Sequence, residues 1–154
     1  MKNEEFVTKE ILPVVEDNLK KEDTTLYYVF YSKGMLVGLN KYSLQNWCRS
    51  KIQELVSKCD KKIESMFAGE LKEGKSIKQF VDMNKDKPIG QTIEQLKALI
   101  EKNEDKNQIC MFSIGMISYL YADKVYKKEA VEYYKFIEEC EKISSEYIKE
   151  RQKK

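Results

Sequence analysis

Apolar residues recur at helical spacing along nearly the whole chain. Val7, Ile11, Val15 and Leu19 repeat every four positions and predict a first helix, capped by Asn3 or Thr8 and running to about Lys21. Pro13 lies inside it. Proline cannot donate to the carbonyl four residues back, so it either kinks this helix or marks its true start. Asp23, Thr24 and Thr25 form an N-cap cluster for a second helix, Leu26 to about Lys41. Only Ser32, Lys33, Asn40 and Lys41 interrupt its apolar character, which predicts a largely buried rod with one narrow wet face. The competing assignment is a β-hairpin, with strands 25–31 and 35–39 around Lys33-Gly34, because Tyr, Val, Phe and Thr favour strand. Residues 26–31 show no alternation of period two, so helix is the preferred assignment.

Ser43 is expected to cap a long third helix from Leu44 to about Phe67. Cys48, Ile52, Leu55, Cys59, Ile63 and Met66 stripe one side of it, and Gly69 ends it. The stretch from Gly69 to Gly90 carries Gly74, Pro88 and many charges, and reads as a connector with one short helix after Ser76. A fourth helix follows from about Gln91 to Lys102, with Ile93, Leu96 and Ile100 inward. A fifth, again nearly all apolar, runs from about Gln108 to Asp123. A sixth begins near Lys127 and passes Tyr147 with Tyr133, Phe136, Ile137 and Cys140 on one side, before a frayed tail over 149–154. The expected fold is an all-α bundle of about six helices in one domain, 1–154.

At an offset of 81 residues the chain resembles itself. Ser32, Gly34 and Met35 stand over Ser113, Gly115 and Met116. Cys59 stands over Cys140, and Leu12, Val15 and Leu19 over Ile93, Leu96 and Ile100. One reading is an internal duplication, with three-helix halves 1–68 and 84–154 joined by the connector 69–83, each half completing the other's core. The other is chance alignment of amphipathic helices. Glycine in a buried helix is costly, by about 1 kcal/mol against alanine, so Gly34, Gly38 and Gly115 predict close backbone approach. Separately, the segment 129–135, Glu-Ala-Val-Glu-Tyr-Tyr-Lys, looks like the second helix of a tetratricopeptide repeat. The likeness covers about half of one repeat and does not recur, so it implies only a helical hairpin near 108–145.

Composition narrows function by exclusion. Lys+Arg 28 against Asp+Glu 26 is near balance, which does not suggest a strongly basic nucleic-acid binder. Histidine is absent, so His-dependent nucleophilic, metal and di-iron chemistry is excluded. The four cysteines, Cys48, Cys59, Cys110 and Cys140, form no CxxC pair and read as reduced, buried thiols; Cys48 beside Arg49 is the nearest approach to an activated thiolate. The spelling Gly69-x₄-Gly74-Lys75-Ser76 matches a phosphate loop, but helical periodicity rather than a strand precedes it, and Glu70 and Glu73 would repel phosphate. Paired acids such as Glu4-Glu5 and Glu138-Glu139 lie on charged helical faces. No stretch approaches the ~20 apolar residues of a membrane span. Acids at Glu4 and Glu5 also follow the N-terminus at once, where a secretory signal needs an apolar run, so a cytoplasmic protein is expected. No catalytic, cofactor or metal residue is assigned. The expected role is a non-catalytic, regulatory interaction protein that binds another protein. The alternative is a nucleic-acid-associated accessory subunit using Lys51, Lys58, Lys61 and Lys62, with the ten tyrosines packing mainly at the core rim.

Overall fold

The computed structural model describes residues 2–39, 45–68, 72–121 and 130–153. These are helical, with no strand among them. A short helix α1 (Lys2–Phe6) passes into a π-helical turn (Val7–Ile11) and then α2 (Leu12–Lys20), followed by α3 (Leu26–Leu39), α4 (Asn46–Ala68), α5 (Lys72–Asn84), α6 (Ile89–Lys102), α7 (Lys106–Leu120) and α8 (Ala130–Gln152). The hairpin alternative for 25–39 is thereby excluded. Thr25 caps α3, its Oγ1 accepting from the Tyr28 N–H at 3.2 Å. Asp105 caps α7 in the same way, accepting from the Gln108 N–H at 3.1 Å.

Pro13 acts through both expected routes at once. It lies in the first turn of α2, and the turn before it widens so that the Leu12 N–H bonds to the Val7 carbonyl five residues back. The proline ring would crowd the carbonyl of Lys9, and the extra residue in the turn moves that carbonyl aside.

Three expectations are corrected. Ser32 and Lys33 are not a wet face: both are buried in α3, with Lys33 only 2% exposed. The connector is not mostly loop, because α5 is a 13-residue helix that sends Val81 and Asn84 into the core. The tail is helical through Gln152 rather than frayed from 149. The expected cap at Ser43 and stop at Gly69 lie outside the described residues.

Helices α3 and α7 form the central pair, with α4 packed on α3 and α8 on α7. Helix α2 lies on α4, α6 lies on α7 and α8, and α5 touches α3, α4 and α7. One cluster of buried side chains runs from Val7 to Cys140. At the centre the two backbones meet. A Cβ placed on Gly34 would lie 1.6 Å from the Met111 carbonyl oxygen, and one on Gly115 would lie 2.0 Å from that of Phe30. The two contacts are reciprocal at the 81-residue offset, which carries Gly34 onto Gly115 and Phe30 onto Met111. Aromatic edges close the crossing: Phe30 meets Phe112 at 5.5 Å and Tyr119 at 5.8 Å between centroids, each edge to face.

Candidate functional site

The residues that carry chemistry are mostly committed to the core. All four cysteines are buried free thiols. Burial pushes the Cys59 thiol up to about 12. Cys110 and Cys140 share a hydrogen bond between α7 and α8, and that bond together with burial holds the Cys140 thiol well above the ordinary range. Cys48 points into the core while Arg49 faces solvent, so the adjacency does not make an exposed thiolate. The backbone is already helical over 72–76, which leaves no strand–loop–helix arrangement around the phosphate-loop spelling; Gly69 to Leu71 lie outside the described residues. Glu4 is buried and Glu5 pairs with Lys9 at 2.8 Å, while Glu138 is exposed and Glu139, at the edge of a groove between α6 and α8, pairs with Lys97 at 3.2 Å, so neither doublet brings two carboxylates together in a cleft. Among the described residues no group of three or more Cys, Asp or Glu could hold a metal ion, and no helix is long and apolar enough to cross a membrane.

Lys33 is the most unusual side chain. Its Nζ donates to Asp60 Oδ1 at 2.5 Å and lies 5.4 Å from the centroid of the Tyr119 ring. Desolvation pulls its pKa down from the usual lysine value, while the Asp60 carboxylate opposes that shift. Tyr121 and Tyr133 are buried outright rather than placed with their hydroxyls at the core rim. The Tyr121 hydroxyl meets Thr92 Oγ1 at 2.6 Å and donates toward the carbonyls of Asn84 and Lys87 at 3.2 and 3.1 Å. The Tyr133 hydroxyl meets Ser118 Oγ at 2.7 Å. Tyr27 stacks on Phe112 at 4.8 Å. Tyr28 and Tyr134 are exposed, and Tyr42 and Tyr126 lie outside the described residues.

Two grooves lie open among the described residues. The larger, about 600 Å³, lies between α2 and α4. Leu12 and Pro13 lie on its α2 side, with Glu16, Lys51 and Glu54 along it and Trp47 at its rim. The indole is 53% exposed, and its Nε1 donates to Gln45 Oε1 at 3.2 Å. Lys51 Nζ lies 3.6 Å from Glu16 Oε2 and 3.8 Å from Glu54 Oε1, and Lys58 lies 3.4 Å from the same Glu54 atom. The postulated basic face of α4 is therefore interleaved with carboxylates at Lys51 and Lys58, and Lys62 reaches the Lys21 carbonyl at 3.4 Å. Thr8, which also lines this groove, has a buried hydroxyl with no hydrogen-bond partner among the described residues.

The smaller groove, about 230 Å³, lies between α6 and α8, with Ile93, Glu94, Lys97, Glu132, Lys135 and Phe136 along it. It occupies the place of the first at the 81-residue offset. Leu12 corresponds to Ile93, Glu16 to Lys97, Lys51 to Glu132 and Glu54 to Lys135. The apolar character of Leu12 is kept in Ile93 and these three charges are reversed, whereas Pro13 gives way to Glu94 and Trp47 to Lys128. Periodicity of apolar positions aligned the halves, but the inversion is visible in the sequence only when the same offset is applied to the charged positions. No family model matches the chain, and no curated protein or solved structure matches it.

Proposed function

We propose that this chain is a non-catalytic, regulatory interaction protein that works by docking a protein surface against its grooved helix-pair faces, and that the two faces arose by internal duplication. The observation that carries the reading is the α2/α4 groove, where an indole half open to solvent sits over an apolar floor among alternating charges. Tryptophan is enriched where partners anchor, because it covers a large area at low conformational cost. The duplication is supported by the reciprocal glycine contacts and by the two grooves at equivalent positions. The nucleic-acid alternative draws no comparable support, since the Glu16 and Glu54 carboxylates lie among Lys51 and Lys58 and would face a phosphate backbone with them.

The test is a photo-cross-linking residue placed at Ser50 in the native host. A protein adduct at Ser50, lost when Trp47→Ala is added and absent with the same cross-linker at exposed Met83 on α5, is the expected result. An adduct to nucleic acid, or a protein adduct indifferent to Trp47, overturns the reading.

A further inference from the structure

Resting on the reading that the grooved faces are docking surfaces, we infer that the occupant of the α2/α4 face is the α6/α8 face of a second copy of this chain. Trp47, Lys51, Glu54 and Lys58 follow one another at spacings of four, three and four, and so form a single line along α4. Glu132, Lys135, Glu139 and Ile143 form the matching line along α8. In one antiparallel register these lines meet as Lys51 with Glu139, Glu54 with Lys135 and Lys58 with Glu132, with Trp47 falling on the half-buried Ile143. All six charged residues are exposed or half-buried. Their contacts within the chain, such as Lys58 with Glu54 and Lys97 with Glu139, are solvent-accessible pairs of the kind that hold side chains only weakly. Both lines thus keep their charge for a partner.

The same lines fit symmetric contacts less fully. Helix α4 laid on α4 of another copy sets Lys51 against Lys58 and Glu54 against Glu54 when centred on Glu54, and when shifted to set Lys51 against Glu54 it makes two opposite-charge pairs. Helix α8 laid on α8 sets Glu132 against Glu139 and Lys135 against itself when centred on Lys135, and when shifted to set Lys135 against Glu139 it too makes two opposite-charge pairs. Like charges held face to face select against a contact as effectively as good packing selects for one. The charge inversion between the halves thus favours a contact between unlike faces, with three opposite-charge pairs where the symmetric registers reach two. Each copy keeps one face of each kind free, so association extends or closes into a ring.

Sedimentation velocity over a concentration series tests this. Wild type is expected to associate with rising concentration and to dissociate with added salt. The triple variants K51E/E54K/K58E and E132K/K135E/E139K are each expected to remain monomeric where wild type associates, with unchanged helical circular dichroism. Mixed in equal amounts they are expected to associate again, because every contact between unlike copies is then complementary. If a triple variant loses its helical signal, the single reversals Lys58→Glu and Glu132→Lys run the same test. A wild type that stays monomeric to about 1 mM overturns the inference. So does a variant that associates like wild type, or a mixture that stays apart. A monomeric wild type that still gives the Trp47-dependent adduct to a different protein overturns the second copy as occupant and leaves the docking reading standing. Loss of that adduct as well removes both.

Discussion

Substitution of Gly34 by alanine tests the central crossing directly. The new methyl would sit 1.6 Å from the Met111 carbonyl oxygen and 2.6 Å from its carbonyl carbon. Both are backbone atoms, so no rotamer change clears them. Restoring an ordinary separation of about 3.5 Å requires the helices to move apart by about 2 Å, and a gap of even ~1 Å forfeits up to half of each dispersion contact. The contacts at risk belong to fully buried side chains on both helices, including Phe30 and Leu36 on α3 and Ile114 and Ile117 on α7. Overpacking of this kind costs about 1–3 kcal/mol, and more where backbone must shift; against it stands about 1 kcal/mol gained from alanine's helix propensity. Because the obstruction is backbone on both sides, we expect a net loss of about 3 kcal/mol for Gly34→Ala and a similar loss for Gly115→Ala. For a chain of this length that is a fall in Tm of roughly 6–12 °C. Gly38→Ala is the control. Among the described residues its methyl meets the far end of the Glu141 side chain at 3.2 Å and no backbone, so a shift of a few tenths of an ångström suffices and the variant should lie within about 1 kcal/mol of wild type. Urea denaturation followed by far-ultraviolet circular dichroism reads all three. A Gly34→Ala variant within about 0.5 kcal/mol of wild type, the ordinary range for surface changes, would refute the backbone contact.

The Lys33–Asp60 pair should be asymmetric: Asp60→Asn strands a buried ammonium and is expected to cost about 3 kcal/mol, whereas Lys33→Met should be close to neutral, both read by urea denaturation. Tyr121→Phe removes the hydroxyl that serves Thr92 and two backbone carbonyls and should cost about 1–3 kcal/mol in a thermal melt. Burial raises Tyr27 from 10.0 to about 12, and Cys59 from 9.0 to about 12. The folded state therefore holds these protons after the unfolded chain has released them, and the stability they contribute is complete below about pH 9 and lost as pH rises from 9 to 12. Denaturation midpoints taken under reducing conditions across that window should fall, and Cys59→Ala should flatten the fall; an unchanged slope in that variant would show that Cys59 titrates as it does in the unfolded chain.

Much of this architecture was readable from residues alone because apolar periodicity is a local property. The stripe from Cys48 to Ile63 and the cap at Thr25 need no knowledge of the rest of the chain. Lys33 was misplaced for the opposite reason. A lysine in an apolar helix reads as a solvent-facing residue, and only the position of Asp60, 27 residues away on α4, makes burial tolerable. Helix α5 was read as mainly connector because Gly74 and dense charge lower local propensity. Its place is fixed instead by tertiary contacts, with Asn84 donating to the Phe80 carbonyl at 2.7 Å and accepting from Thr92 at 3.3 Å. The glycines announced close approach, but not of what to what; the reciprocity of Gly34 and Gly115 appears only when both helices are in place. The grooves were illegible because each is made by two helices whose spacing no local pattern encodes.

The same crossing decides whether the halves are independent. Phe30, Leu36, Ile114 and Ile117 are fully buried, and they lie on the two central helices that cover one another. Full exposure of a large apolar side chain costs about 1.5–3 kcal/mol, so exposing these four would cost at most roughly 6–12 kcal/mol. That is comparable with the whole stability of an ordinary domain, about 5–15 kcal/mol. Neither half has enough core left to persist once the other opens, and the two should unfold as one unit although each has its own long outer helix. Scanning calorimetry at a concentration low enough to keep the chain monomeric should then show a single transition, with an enthalpy of about 110 kcal/mol near 60 °C and a van't Hoff value equal to it. Two resolved transitions, or a van't Hoff enthalpy near half the calorimetric one, would mean that the glycine crossing joins two self-sufficient units rather than completing one core.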